Sequence, residues 1–82
     1  MAFIVDPNTH IEGICQMPQD KLKEFASDTM NDKDYKENDF TEMCRSIVKF
    51  QNLTSKQRIA LAKMIVYSGV YDEDELEEHW NQ

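Results

Sequence analysis

The chain is short and acidic: its 82 residues include 16 Asp and Glu against 9 Lys and Arg, which gives a net charge of −7. Hydrophobic residues make up 40% of it and aromatic residues 10%, more than an intrinsically disordered chain contains. This length predicts one domain, spanning residues 1–82, with a marginal core to which a partner or self-association would add stability. No apolar run approaches the roughly 20 residues of a membrane span, so we expect no membrane insertion.

Residues 1–16 carry the least clear pattern in the sequence. The apolar start lacks a basic flank and runs into Asp6-Pro7-Asn8, which favours a turn and is unlike a signal peptide. Gly13 then interrupts the next apolar group. Because so few residues are available to pair as strands, we expect residues 1–16 to form an extended arm packed on helices. The arm would be ordered either in the free protein or only with a partner.

Two amphipathic helices are predicted in the middle of the chain. The first begins at Pro18, because proline lacks the N–H that a first-turn residue leaves unpaired. Its narrow apolar face has three- and four-residue spacing and consists of Leu22, Phe25, Ala26 and Met30. After a polar connector, Asn38 or Asp39 caps the second helix. The apolar stripe of this helix consists of Phe40, Met43, Cys44, Ile47, Val48 and Gln51.

The remaining sequence contains two patterns typical of helix starts. Thr54 and Gln57 match a capping box and open a third helix, which is apolar on nearly all sides and ends at Gly69. Asp72 and Glu75 repeat the capping pattern for a short final helix. We therefore predict an all-α fold, a compact bundle of about four short helices with an extended N-terminal arm.

The segment from Asp39 to Ile65 resembles a helical hairpin of bacteriophage replication and recombination proteins. It is similar in particular to the small helical domain at the C-terminus of phage recombination helicases. The similar residues are Phe40, Ser46, Ile47 and the junction from Leu53 to Gln57. Such hairpins often have Gly before the Leu, where this chain has Asn52. The resemblance implies a phage origin and proximity to nucleic-acid machinery, and it assigns no functional residue.

The sequence lacks the patterns of catalysis, metal binding and cofactor binding. Its histidines and cysteines (His10, Cys15, Cys44 and His79) are scattered, whereas zinc sites usually contain paired ligands a few residues apart. Its two glycines form no phosphate-binding loop. We therefore expect no enzyme activity, no catalytic residue, no metal and no cofactor. Both cysteines are expected to be reduced, buried thiols of a protein in the bacterial cytoplasm.

The strongest functional signal is the acidic end of the chain. Residues 71–82 contain six acidic residues and no Lys or Arg. Such a run is either a solvated face that keeps the protein soluble or a surface that meets a basic groove and imitates the spacing of phosphates. In the second case the binding residues are Asp72, Asp74, Glu75 and Glu78, with Tyr71 and Trp80 as anchors. Trp80 is equally well explained as a core residue beside Leu76.

These observations favour a small acidic, phage-encoded protein that acts by protein–protein contact. The sharper hypothesis is an inhibitor or modulator of a bacterial nucleic-acid-handling enzyme, such as a defence nuclease complex. The alternative is a nucleic-acid-binding replication or recombination accessory module. It would use the basic hairpin residues Arg45, Lys49, Lys56, Arg58 and Lys63. The net charge disfavours direct nucleic-acid binding. A homo-oligomer that buries Phe3–Val5 is a third hypothesis.

Overall fold

The computed structural model describes residues 4–81, and five α-helices occupy most of this range. They are α1 (Pro7–Cys15), α2 (Gln19–Asn31), α3 (Asp39–Ile47), α4 (Ser55–Tyr67) and α5 (Glu73–Trp80). Residues 4–81 contain no β-strand, which confirms the all-α prediction. The radius of gyration is 11.4 Å, close to the roughly 12 Å of a compact domain of this length. None of these five helices combines the length and the apolar composition needed to cross a membrane.

Helix α1 corrects the prediction of an extended arm over residues 1–16. Asp6 is its N-cap: one carboxylate oxygen accepts from the Thr9 backbone N–H at 3.4 Å, and the other accepts from the Thr9 hydroxyl at 2.7 Å. Pro7 follows in the first turn, where its fixed backbone angle suits a helix. Asp-Pro therefore starts a helix here, and the buried residues of that helix are His10, Ile11 and Ile14. Residues 1–3 of the expected arm lie outside the described residues.

The other helices begin where the sequence predicts. Pro18 is the N-cap of α2, and Asn38 is that of α3. The Thr54 hydroxyl accepts from the Gln57 N–H at 3.2 Å, and the Gln57 side chain accepts from the Thr54 N–H at 2.9 Å, which is the expected capping box. Gly69, just beyond α4, has a φ of 76°. This left-handed conformation costs glycine little because it has no side chain.

Helix α4 lies at the centre of the bundle, as expected of a helix that is apolar on nearly all sides. It packs against α1, α2 and α3, whereas α5 packs on α1. The residues that α4 buries are Leu61, Ala62, Met64, Ile65 and Val66. Its outer side is not covered, since Ile59 is 39% exposed and Tyr67 is 64% exposed.

Helix α3 buries part of the predicted stripe, at Cys44 and Ile47, together with Thr41 from outside it. Phe40 and Met43, which belong to the predicted stripe, are 37% and 44% exposed. Thr41 tolerates burial because its hydroxyl is paired, at 2.7 Å with the Tyr35 hydroxyl and at 3.0 Å with the Asn38 N–H. A hydrogen-bonded hydroxyl thus occupies a core position, and two apolar side chains stay at the surface.

Candidate interaction surface

Helix α5 contacts the bundle through one face and presents carboxylates on the other. Leu76 is fully buried and Trp80 is packed against the core. They lie on the same helix face as Glu73, because these residues follow at three- and four-residue steps. The exposed acidic residues of the outer side are Asp74, Glu77 and Glu78. Packing therefore fixes the direction in which the acidic side chains of α5 point.

A buried histidine joins α5 to α1. The Trp80 indole N–H donates to His10 Nδ1 at 3.1 Å, and the two rings meet edge to face with centroids 5.8 Å apart. Because Nδ1 accepts this bond, the neutral imidazole carries its proton on Nε2, which lies 3.5 Å from Glu73 Oε1. The same carboxylate oxygen accepts the backbone N–H groups of Val5 at 2.9 Å and Asp6 at 3.2 Å. No short-range sequence pattern marks this role of Glu73, which joins residues far apart in the chain.

An aromatic cluster joins α5 to α2. His79 stacks on Phe25 with ring centroids 4.1 Å apart, and the Tyr71 ring lies 5.1 Å from that of Phe25. The Thr29 hydroxyl donates to the Tyr71 hydroxyl at 3.1 Å. Burial raises the pKa of Tyr71, the hydrogen bond with Thr29 opposes this effect, and nearby carboxylates raise the pKa further. Those carboxylates are Asp32, Asp28 and Glu75. They belong to α2, to its C-cap and to α5.

The acidic surface is therefore broader than the sequence hypothesis, which placed it on the last helix alone. On α5, Asp72 and Glu75 form the capping box, with Asp72 accepting from the Glu75 N–H at 2.9 Å, so both also stabilise the helix start. The contribution of α2 and its C-cap comes from Asp20, Glu24, Asp28 and Asp32. These residues recur every four positions, a spacing that makes successive members neighbours on a helix surface. This repeat is the sequence signal that identifies the second half of the surface.

A groove of about 670 Å³ lies between α2, the end of α1 and the last turn of α5. Its aromatic lining consists of Phe25, His79 and Trp80, and its charged lining consists of Lys21, Glu24 and Asp28. The volume is within the range of ligand-binding pockets, about 300–1,000 Å³. Aromatic rings beside carboxylates suit a guanidinium or ammonium group, which is attracted both to ring faces and to acids. The groove can therefore receive a basic side chain.

The basic residues of the 45–63 hairpin have different environments. Arg45 pairs with Glu37 and Glu42, and the hydrogen bond that it donates to Glu37 is the main cause of its raised pKa. Arg58 donates to the carbonyl oxygens of Cys15 at 3.2 Å and Met17 at 3.1 Å, at the C-terminal end of α1. The exposed members of the set are Lys49, Lys56 and Lys63. The fold therefore uses both arginines for contacts within the chain.

The two cysteines are unpaired and differ in exposure. Cys44 is fully buried, and burial raises the pKa of its thiol to about 11. Cys15 is only partly buried, and its thiol donates to the Glu12 carbonyl oxygen at 3.2 Å. Within residues 4–81, no three His, Cys, Asp or Glu side chains are grouped so as to hold a metal ion. The buried-thiol prediction is thus confirmed for Cys44, whereas Cys15 is accessible in part.

Comparison of the chain with protein-family models, with curated proteins and with solved structures finds no match. Residues 4–81 form a small all-α fold in which α2 and α5 carry exposed acidic residues. The resemblance of residues 39–65 to a phage helicase domain stays a prediction from the sequence.

Proposed function

We propose that this protein acts by protein–protein contact and binds a basic partner through the acidic surface of α2 and α5. The observation that carries the proposal is the attachment of α5 to the bundle by Leu76, Tyr71 and Trp80. A surface held in this way has little conformational freedom to lose on binding, which favours affinity. The proposed binding residues on α5 and its N-cap are Asp72, Asp74, Glu75 and Glu78. Asp28 and Asp32 extend the surface onto α2.

The aromatic groove gives this surface a place for one basic side chain of the partner. An Arg of the partner would stack on Trp80 or His79 and pair with Glu24 or Asp28. Trp80 then serves both as a packing residue of α5 and as a contact residue. Tyr71 is half-buried and hydrogen-bonded to Thr29, so its contribution is chiefly to hold α5 in position.

The partner class we propose is a bacterial nucleic-acid-handling enzyme of a defence or replication complex. The groove of such an enzyme is basic because it holds phosphates, and a protein of net charge −7 is attracted to it over a long range. Carboxylates on two helices of one bundle form an array of negative charges, as phosphates do along a nucleic-acid backbone. A phage-encoded protein of this kind would inhibit or modulate the enzyme by occupying that groove.

The proposal is tested by capture of partners from bacterial lysate on the tagged protein, with and without nuclease treatment, followed by elution in salt. We expect a basic nucleic-acid enzyme that stays bound after nuclease treatment and is released by salt, because exposed charge pairs are screened. Absence of any such enzyme, with a host lysate as the source, would contradict the proposal for a host partner.

A charge variant assigns the binding to the acidic surface. Asp74→Asn/Glu78→Gln removes exposed charges of α5 and leaves its capping box in place, so we expect capture to weaken about tenfold while helicity is retained. The matched control, Asp39→Asn/Glu42→Gln, removes the same charge from α3 and should capture the partner as the unmodified protein does. If the α5 variant captured as much of the partner as the α3 control does, α5 would not be the binding surface.

The second candidate is a nucleic-acid-binding accessory module that uses the basic hairpin. It is supported by the exposure of Lys49, Lys56 and Lys63 on and around α4, and the net charge opposes it. This candidate predicts that the capture experiment recovers DNA or RNA and that co-captured proteins are lost after nuclease treatment. Lys49→Gln/Lys56→Gln would then reduce the recovery, and the α5 variant would not.

A further inference from the structure

A second groove, of about 510 Å³, lies where the connector before α3 and the first turn of α3 meet the end of α4. It has no lining residue in common with the groove beside α5. Its aromatic lining consists of Tyr35, Phe40 and Tyr67, and its charged lining consists of Lys36 and Lys63. Core packing accounts for Tyr35, but neither it nor the acidic surface accounts for the exposed rings and lysines of this groove.

The charge of this groove is opposite to that of the whole chain. None of its lining residues is Asp or Glu, although the chain has a net charge of −7. Among the salt bridges of residues 4–81, none involves Lys36 or Lys63. Two ammonium groups at one groove that form no salt bridge with residues 4–81 favour an anionic occupant.

Two of the three aromatic side chains of the groove, those of Phe40 and Tyr67, are exposed, whereas Tyr35 is hydrogen-bonded to Thr41. Tyr67 is 64% exposed and Phe40 is 37% exposed. In the described part of the chain, neither ring stacks on another aromatic ring. Phe40 is exposed here because α3 buries Thr41 in its place. Exposed aromatic faces beside lysines are the surfaces on which nucleobases stack while their phosphates are neutralised.

We propose that this groove binds a nucleoside monophosphate, with its base stacked on Tyr67 or Phe40 and its phosphate held by Lys36 and Lys63. The rings account for the base, and the ammonium groups account for the phosphate. A volume of about 510 Å³ is that of a small-molecule site. A single phosphate group also suits the acidic chain better than a polynucleotide, since each further phosphate would be repelled by the net charge.

This site is distinct from the surface of the proposed function, because it uses α3, α4 and the 32–38 connector rather than the acidic side chains of α2 and α5. Loss of partner capture in the α5 variant and loss of nucleotide binding in a groove variant are separate results. Either proposal can therefore fail without affecting the other.

The test is a titration of the ¹⁵N-labelled full chain with AMP, followed through the chemical shifts of the backbone amides. We expect saturable shifts at residues 35–40 and 63–68. Adenosine, which lacks the phosphate, should bind more weakly than AMP by a factor of about ten or more. Lys36→Gln/Lys63→Gln should weaken AMP binding about tenfold and bring its affinity close to that of adenosine.

Two further variants complete the experiment. Tyr67→Ala removes an exposed ring and should weaken AMP and adenosine by a similar factor, while the spectrum of the free variant shows that the fold is retained. Lys49→Gln/Lys56→Gln removes the same charge as the groove variant at positions outside the groove, and it should bind AMP as the unmodified protein does.

Several results would overturn the proposal. The first is the absence of saturable shifts with AMP at millimolar concentration, and the second is shifts that map to another surface. The third is a loss of affinity in the Lys49→Gln/Lys56→Gln control equal to that in Lys36→Gln/Lys63→Gln. If a single-stranded oligonucleotide bound more tightly than AMP, and if Lys49→Gln/Lys56→Gln abolished that binding, the lysines would be assigned to a polynucleotide. Tighter binding of an acidic peptide than of AMP would assign the groove to a protein partner.

Discussion

At the scale of single residues, Cys44 and Cys15 have the same chemistry in different surroundings. Cys44 is fully buried on α3, and the pKa of its thiol is raised from 9.0 to about 11 because burial disfavours the thiolate. The thiolate is the reactive form, so a raised pKa suppresses reaction at neutral and mildly alkaline pH. Cys15 lies at the end of α1 with part of its surface exposed.

We expect native protein at about pH 8 to label rapidly at one thiol, Cys15, with a disulfide reagent, and to label at Cys44 only on unfolding. Two variants check the assignment, because Cys15→Ser should lose the rapid phase and Cys44→Ala should keep it. The rate at Cys44 should rise as the pH approaches 11, the value to which its pKa is raised. Rapid native labelling of the Cys15→Ser variant would contradict the burial of Cys44.

Gly13 is required by a close approach between α1 and α5. A Cβ atom at this position would lie 2.3 Å from Cδ2 of the Trp80 ring. We expect Gly13→Ala to destabilise the protein by about 1–3 kcal/mol, because Trp80 must move and its hydrogen bond to His10 is lost. Urea unfolding measures the change, and the emission of Trp80, the one tryptophan of the chain, reports the displacement.

The helix propensity of alanine acts in the opposite direction, by about 1 kcal/mol. In a Trp80→Val background the clash is absent, so Gly13→Ala should there be neutral or stabilising. A similar destabilisation in both backgrounds would show that Trp80 is not what excludes a side chain at position 13.

At the scale of elements, the short helix α1 forms hydrogen bonds with different parts of the chain at its two ends. Its start is local, since the Asp6 carboxylate accepts from Thr9 three residues on. Its end depends on tertiary structure, because the carbonyl oxygens of Cys15 and Met17 accept from Arg58 of α4. A nine-residue helix is marginal in isolation, so contacts with α4 and α5 maintain it.

We expect Arg58→Met to destabilise the protein by about 1–3 kcal/mol, because two carbonyl oxygens lose their donor while the apolar stem is kept. Lys56→Met is the matched control on the same helix: Lys56 is exposed, and its replacement should change the stability by less than about 0.5 kcal/mol. Chemical denaturation followed by circular dichroism measures both. Equal stabilities of the two variants would assign Arg58 to a surface role, as the basic-hairpin hypothesis requires.

At the scale of the whole molecule, the charges are unevenly distributed over the fold. The acidic helix α5 packs on α1, while Lys56 and Lys63 lie on α4. Arg45 is the permanently charged base of the salt bridges among residues 4–81, with Glu37 and Glu42 as its partners, and acidic groups outnumber basic groups to give the chain a net charge of −7. Repulsion among like charges therefore opposes the folded state.

We expect the melting temperature to rise when NaCl is increased from about 0.01 M to about 1 M, because screening weakens this repulsion. Choline chloride at the same ionic strength should have a similar effect if screening is the cause. A melting temperature that falls with added salt would mean that attractive pairs outweigh repulsion.

Self-association through Phe3–Val5 stays a prediction of the sequence. Phe3 lies outside the described residues, and Val5 is 73% exposed. Sedimentation at high protein concentration tests this hypothesis, and a strictly monomeric protein would exclude it.

The starts of α2 to α5 were predictable because helix capping is local. Asn38, Thr54 and Asp72 each accept a hydrogen bond from a backbone N–H two or three residues on. Pro18 makes no such side-chain bond, but its fixed ring suits a helix start, so the amino-acid order alone indicates all four starts. The start of α1 is not evident from the sequence, since Asp6-Pro7 is compatible with a turn and with a helix. What decided between them is the burial of the helix face against α4 and α5.

The candidate surface was predicted in part for the same reason. The acidic run of residues 71–82 is visible in the sequence, and its helix follows from the capping residues. The contribution of Asp28 and Asp32, the His10–Trp80 hydrogen bond and the two grooves depend on which helices become neighbours. These contacts join distant residues, and no pattern of short period encodes them.

The sequence by itself therefore determined the all-α class, most helix starts, the central place of α4 and the sign of the charge on α5. These properties depend on hydrogen bonds between near neighbours, on hydrophobic periodicity and on composition. The tertiary structure alone decided which side chains each helix buries, that Arg58 caps α1 and that Phe40 and Tyr67 stay exposed beside lysines. Those outcomes depend on close packing of all the helices at once, since burial of one side chain excludes another.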